Sequence, residues 1–150
     1  MSEHSSEIST EDLLGAVEAS WDFQLPKEYR QFLLNMSAEN FKGKLFSFYD
    51  SNDGSCIGDF FTLRKGIRNF FVDYRDMQKR IPSNFIPIAS DVYGNRILLA
   101  VKNPDRGKIF FWDHELEADD GEVPDYSNLT LIAPDFQTFL NSLRPEEDED

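Results

Sequence analysis

Three apolar runs set close together constrain this chain more than any other feature: Phe85 to Ala89, Arg96 to Val101 and Lys108 to Trp112. The segments between them, Ser90-Asp91-Val92-Tyr93-Gly94-Asn95 and Lys102-Asn103-Pro104-Asp105-Arg106-Gly107, are rich in residues that accept a positive φ or fix a bend. Strands that follow one another through short turns pair antiparallel, so the runs predict a meander. Leu129 to Ala133 is expected to add an edge strand.

Helices flank this block. Ser9-Thr10-Glu11-Asp12 reads as a helix start, with Ser9 as cap and two carboxylates at the positive end of the dipole. Leu13, Leu14, Val17 and Trp21 follow at helical spacing until Leu25-Pro26, where Pro26 suits a first helical position because its missing N–H has no partner to lose. Tyr29, Phe32, Leu33 and Met36 recur at i, i+3, i+4 and i+7, with Lys27, Glu28, Arg30 and Gln31 on the outer face. Leu45-Phe46-Ser47-Phe48-Tyr49 predicts a strand with Phe46 and Phe48 on one side, and a second short strand is expected within Cys56 to Leu63. Ile67, Phe70, Phe71, Tyr74 and Met77 restore the helical period, which Ile81-Pro82-Ser83 ends. Pro134-Asp135 opens a last helix carrying Phe136, Phe139, Leu140 and Leu143, and Arg144-Pro145 stops it. The expected architecture is α+β: a mostly antiparallel sheet of about five to six strands with helices packed on it. One domain over 9–144 is expected, between a flexible start (1–8) and a disordered acidic tail (145–150).

Charge narrows the partners. Asp and Glu number 28 against 15 Lys and Arg, a formal net charge of −13. Nucleic-acid binding needs cations that displace counterions from phosphates, so direct contact with DNA or RNA is not expected. A basic protein is the partner such a field draws in, although the same charge also serves solubility. The polar, acidic start Met1-Ser2-Glu3-His4-Ser5-Ser6-Glu7 lacks the basic region and apolar run of a secretory signal. Every apolar stretch falls short of the roughly 20 residues that cross a bilayer. A soluble cytoplasmic protein is expected.

Candidate chemistry is sparse. Cys56 is the single cysteine, which excludes an internal disulfide and a thiolate-rich zinc site, and it reads as a small half-buried residue beside a strand. His4 lies at the start, leaving His114 within Trp112-Asp113-His114-Glu115. That cluster has two readings, a metal or acid/base site or a turn that contacts a partner; on a strand, Asp113 and Glu115 would face away from His114. Gly54, Gly58, Gly94 and Gly107 match no phosphate-cradling pattern, so no nucleotide cofactor is expected. No catalytic residue, metal or cofactor is assigned, and the chain is expected not to be an enzyme. Helical spacing accounts for Tyr29, Phe32, Phe70, Phe71, Phe136 and Phe139, leaving Phe48, Tyr49, Tyr93, Trp112 and Tyr126 near loops or strand ends. Aromatics there either anchor a partner or cap the core.

Several motifs in order resemble a known family. They are Leu25-Pro26-x-x-Tyr29-x-x-Phe32-Leu33-x-Asn35, Ile86-Pro87-Ile88-Ala89-x-Asp91-x-x-Gly94-Asn95, Gly107-x-Ile109-x-x-Trp112-Asp113-His114-Glu115, and Phe136-x-x-Phe139-Leu140-x-x-Leu143. Together they resemble the SUKH superfamily, the group related to fungal cell-wall assembly regulators of the Smi/Knr type, from about Leu13 to Leu143. The resemblance implies a SUKH fold, no catalysis, and an immunity-type role in which the protein binds and neutralises a toxin, often a nuclease; fungal relatives act as regulatory interaction proteins. One departure is Asn35-Met36-Ser37-Ala38, where the family commonly has Asn-Gly, so the nearby bend is expected from Gly43.

A cationic toxin domain would meet acidic and aromatic surface residues. The expected contact set is Tyr49, Asp50, Asp53, Asp59, Asp91, Tyr93, Trp112, Asp113, Glu115, Asp119 and Asp120, with the acid-rich segment from Glu117 to Asp125 around the last of them. The alternatives are a regulatory interaction scaffold without a toxin and a metal-dependent hydrolase built on Asp113 and His114.

Overall fold

The computed structural model describes residues 10–21, 23–35, 38–63 and 69–145. In chain order the elements are α1 (Thr10–Trp21), α2 (Lys27–Asn35), β1 (Leu45–Ser47), β2 (Gly54–Cys56), β3 (Asp59–Phe60), α3 (Phe70–Met77), β4 (Phe85–Ser90), β5 (Arg96–Ala100), β6 (Ile109–Trp112), β7 (Leu129–Ala133) and α4 (Phe136–Ser142). Short 3-10 turns occupy Ala38–Phe41 and His114–Leu116. The strands from β3 to β7 form one antiparallel sheet in sequence order, and β1 pairs with β2 in a separate two-stranded sheet. The fold is α+β, with the expected meander at its centre and β7 at the expected edge.

Both faces of the meander are apolar because both are covered, which is why its strands read as continuous runs instead of alternating ones. On the larger side Ile86, Ile88, Ile97, Leu99, Ile109 and Phe111 meet Leu14, Tyr29, Phe32, Leu33, Phe70, Phe136 and Phe139 from the helices. Phe46 and Phe48 lie together over Phe111, with ring centroids 6.2 and 5.1 Å from it, so β1 crosses this face as the pattern predicts. On the smaller side Phe85, Leu98, Ala100, Phe110 and Trp112 pack with Met77 and Ile81. Pro87 has no N–H to give, and the β4–β5 register shifts beside it, between Pro87 and Ala89.

Polar contacts set the joints between helices. The Glu18 carboxylate, itself buried, accepts the Leu25 N–H at 2.8 Å and the Arg30 Nε at 3.0 Å, tying the α1–α2 connection to both helices. The Pro26 carbonyl accepts from Arg30 N–H at 3.0 Å, so the proline stands one position before α2 instead of inside it. Asn69 caps α3 by accepting from Phe71 and Val72 N–H, and Asp135 caps α4 through Thr138 N–H. Gly43, where a bend is expected, takes a positive φ of +83°.

Two further details differ from the sequence reading. The single strand expected between Cys56 and Leu63 is two: β2 starts earlier, pairing with β1, and β3 joins the main sheet. The helix expected from Ile67 begins at Phe70. Ser9, Met36, Ile67, the start 1–8 and the tail 146–150 lie outside the described residues.

Candidate interaction surface

The residues that carry the family resemblance build a polar clasp at one end of the sheet. Asp91 closes β4, and its carboxylate accepts four hydrogen bonds: Oδ1 from the N–H groups of Tyr93 and Asn95, both at 2.9 Å, and Oδ2 from Asn95 Nδ2 at 2.8 Å and Ser55 Oγ at 3.0 Å. Asn95 passes the link on, its Oδ1 accepting the His114 N–H at 3.0 Å. Gly94, whose φ of +92° favours glycine, faces the His114 ring at ordinary van der Waals distance, an added Cβ standing 3.5 Å from Nε2. Gly58 lets β3 approach, since a Cβ there would come within 2.9 Å of the Asp91 carbonyl oxygen.

The second half of the clasp follows β6. The Asp113 side chain accepts from Glu115 N–H at 3.0 Å and starts the 3-10 turn, while Asp113 N–H donates to the Asn128 carbonyl and Asn128 Nδ2 donates to the Asp113 carbonyl. Arg96 joins the turn to α3, pairing with both oxygens of Asp73 at 3.1 and 3.2 Å and donating to the Gly94 carbonyl. A carboxylate has about four lone-pair positions, and Asp91 fills them with neighbours of its own chain, leaving it no capacity to act as a base or ligand. Among the described residues no group of three or more His, Cys, Asp and Glu side chains could hold a metal ion.

Two members of the expected contact set are therefore corrected. Asp91 is 5% exposed and internally saturated, and Trp112 is 1% exposed within the smaller core, so neither presents a surface to a partner. Arg80 lies over the Trp112 ring, 5.3 Å from its centroid, and pairs with Glu117 through two hydrogen bonds of 2.8 and 3.0 Å. These bonds hold the Glu117 carboxyl below the usual carboxylate range and raise Arg80 in turn.

The remaining members fall in separate places. Tyr93 is 71% exposed on the β4–β5 turn, with Asp113 half-buried and Glu115, Asp119 and Asp120 exposed along the connection that follows β6. Tyr49, Asp50 and Asp53 cluster at the tip of the β1–β2 hairpin, which Tyr49 N–H fastens to the edge of β7 through the Leu131 carbonyl at 2.8 Å. A groove of about 690 Å³ runs from this tip to α4 and contains Arg144. Asp59, half-buried at the other edge, pairs with Lys42 at 3.5 Å. The sequence reading passed over Val92, Leu116 and Val123, which are 62, 64 and 86% exposed; the available signal was branched apolar residues in otherwise polar connections.

The fold is thus a meander sheet with helices on its broad face, a polar clasp at one end and an acidic, partly apolar rim beside it. The profile of the SMI1 / KNR4 family (SUKH-1) matches residues 8–142, and the chain belongs to that family. It is 31% identical to the SPbeta prophage-derived uncharacterized protein YokK of Bacillus subtilis (strain 168), over 93% of this chain and 77% of that protein. No solved structure gave a significant match. No helix among the described residues is long and apolar enough to cross a membrane.

Proposed function

We propose that this protein is an immunity-type binder that neutralises a basic toxin domain in the cytoplasm by stoichiometric occlusion. The observation that carries the reading is the separation of its carboxylates: Asp91 serves the clasp, whereas Glu115, Asp119 and Asp120 stand exposed on a rim beside it. A toxin that attacks nucleic acid presents a basic cleft, and an acidic partner reaches such a cleft quickly and covers it. Membership of the SMI1 / KNR4 family, and similarity to a prophage-derived protein, agree with a role in conflict between cells. Occlusion needs no catalytic group on this chain.

Immobilised protein exposed at low salt to lysates of its own and related cells is expected to retain a basic protein. That protein, expressed alone, should stop growth, and co-expression of this chain should restore it. Retention of basic proteins whose toxicity is nil, or growth arrest that co-expression leaves untouched, would sink the reading and favour a regulatory scaffold.

A further inference from the structure

The clasp fixes the positions of exposed apolar side chains as well as its own. Val92 and Tyr93 ride on a turn whose backbone is held by Asp91, and Asn95 ties that turn to the 3-10 segment bearing Leu116. Leu116 and Val123 then line one shallow pocket, about 560 Å³, together with Glu117, Asp119, Glu122 and Asp125. Val92, Tyr93 and Leu116, exposed by 62 to 71% on this preorganised frame, are costly to leave in water and lose little freedom when covered. From Asp113 to Asp125 the chain has no lysine or arginine, and although Arg80 reaches it to pair with Glu117, the carboxylates of Glu115, Asp119, Asp120, Glu122 and Asp125 leave the acidic sign in excess.

We infer that Val92, Tyr93, Leu116 and Val123 form the seat of the partner, and that its occupant is a cationic protein segment. Aliphatic or aromatic side chains of that segment cover the strip while its lysines and arginines meet Glu115, Asp119, Asp120 and Glu122. This inference rests on the neutralising reading and adds the surface through which it works. A second copy of the chain is a poor occupant, because it would bring the same carboxylates against themselves. The hairpin-tip groove is the weaker seat, since Arg144 lies in its wall and opposes a cationic guest. In the inferred seat the two kinds of side chain act on different rates: carboxylates steer the encounter, and the apolar strip sets how long the complex lasts.

A photo-crosslinking amino acid is placed in the full chain at Tyr93, Leu116 or Val123, with Tyr49 marking the rival hairpin tip and Leu13 a remote surface. The variants are irradiated in the cells that make the protein, grown with related strains, and adducts are identified by mass. Adducts with one basic protein from positions 93, 116 and 123, and none from 49 or 13, are expected. Against that protein Leu116→Ala and Val123→Ala should each dissociate roughly tenfold faster with association unchanged. The same protein crosslinked from 49 or 13 instead would overturn the seat and leave the neutralising reading standing. Adducts only with a second copy would reassign the strip to self-association, and the absence of any basic adduct at every position would overturn both.

Discussion

Two sets of carboxylates lie at the same end of the sheet, and their surroundings differ in kind. Asp91 is buried and receives four hydrogen bonds from its own chain, including one from Ser55, a distant residue in the sequence. Asp119 and Asp120 are exposed, and Asp119 N–H finds only its neighbour Glu122, at 3.2 Å, in a local turn. A carboxylate that closes a fold and one that is exposed to a partner are thus told apart by burial and bonding, and their sequence settings differ as well: Asp91 is the lone acid between Phe85 and Asn95, while Asp119 and Asp120 lie among Glu115, Glu117, Glu122 and Asp125. Between the sets stands Arg80, which fastens Glu117 to the face of Trp112.

The comparison breaks first at Trp112, the aromatic that a surface reading joins to Tyr93. Trp112→Ala is expected to lower unfolding free energy by about 3–5 kcal/mol, and Tyr93→Ala by no more than about 0.5 kcal/mol, in denaturant titrations; equal losses would contradict the assignment of one ring to the core and the other to the rim. Next in size is Asp91→Ala, which strands the half-buried hydrogen bonds from Tyr93, Asn95 and Ser55 and should cost about 3 kcal/mol. Its counterpart is the Tyr29 hydroxyl, the buried side-chain polar atom without a hydrogen-bond partner among the described residues. Removing that group leaves nothing unsatisfied, so Tyr29→Phe should be neutral or stabilising by up to about 1 kcal/mol, and a clear loss would mean the hydroxyl has a partner.

A smaller effect follows from the Arg80–Glu117 latch. Arg80 lowers the Glu117 pKa in the folded chain, so the latch stabilises at pH above the unfolded glutamate range and is lost as pH falls through the lowered folded value. Protection of the amides in residues 116–118 should therefore fall relative to the β4–β6 amides only once pH drops below the usual glutamate range, and Glu117→Gln should abolish that step. Smallest of all is the stability change on neutralising Asp119 and Asp120 together, within about 0.5 kcal/mol by the same titrations.

The central meander was legible because its turns carry Gly94 and Gly107, both found at positive φ, between runs too apolar to lie on a surface. The last helix was legible too, through Asp135 as cap and the spacing of Phe136 and Phe139. The β1–β2 pair was only half visible, since Gly54 carries no apolar signal; its part is to leave room for the Phe46 carbonyl oxygen, against which any Cβ would collide. Trp112 looked like a rim residue because polar Asp113 and His114 follow it. Its burial depends on Leu129 across the strands and on Arg80 from beyond α3, neither of which local sequence can announce. The role of Asp91 was hidden for the same reason, its partner Ser55 arriving from another sheet. The resemblance to the SUKH superfamily located those residues without distinguishing fold from surface.

The most direct test is the association rate of the Asp119→Asn, Asp120→Asn, Glu122→Gln variant with the basic protein that the unsubstituted chain retains, followed from low to high salt. The account predicts slower association at low salt and rates that converge with those of the unsubstituted chain as salt screens the remaining charge. Association that is unchanged by the substitutions at every salt concentration would contradict it.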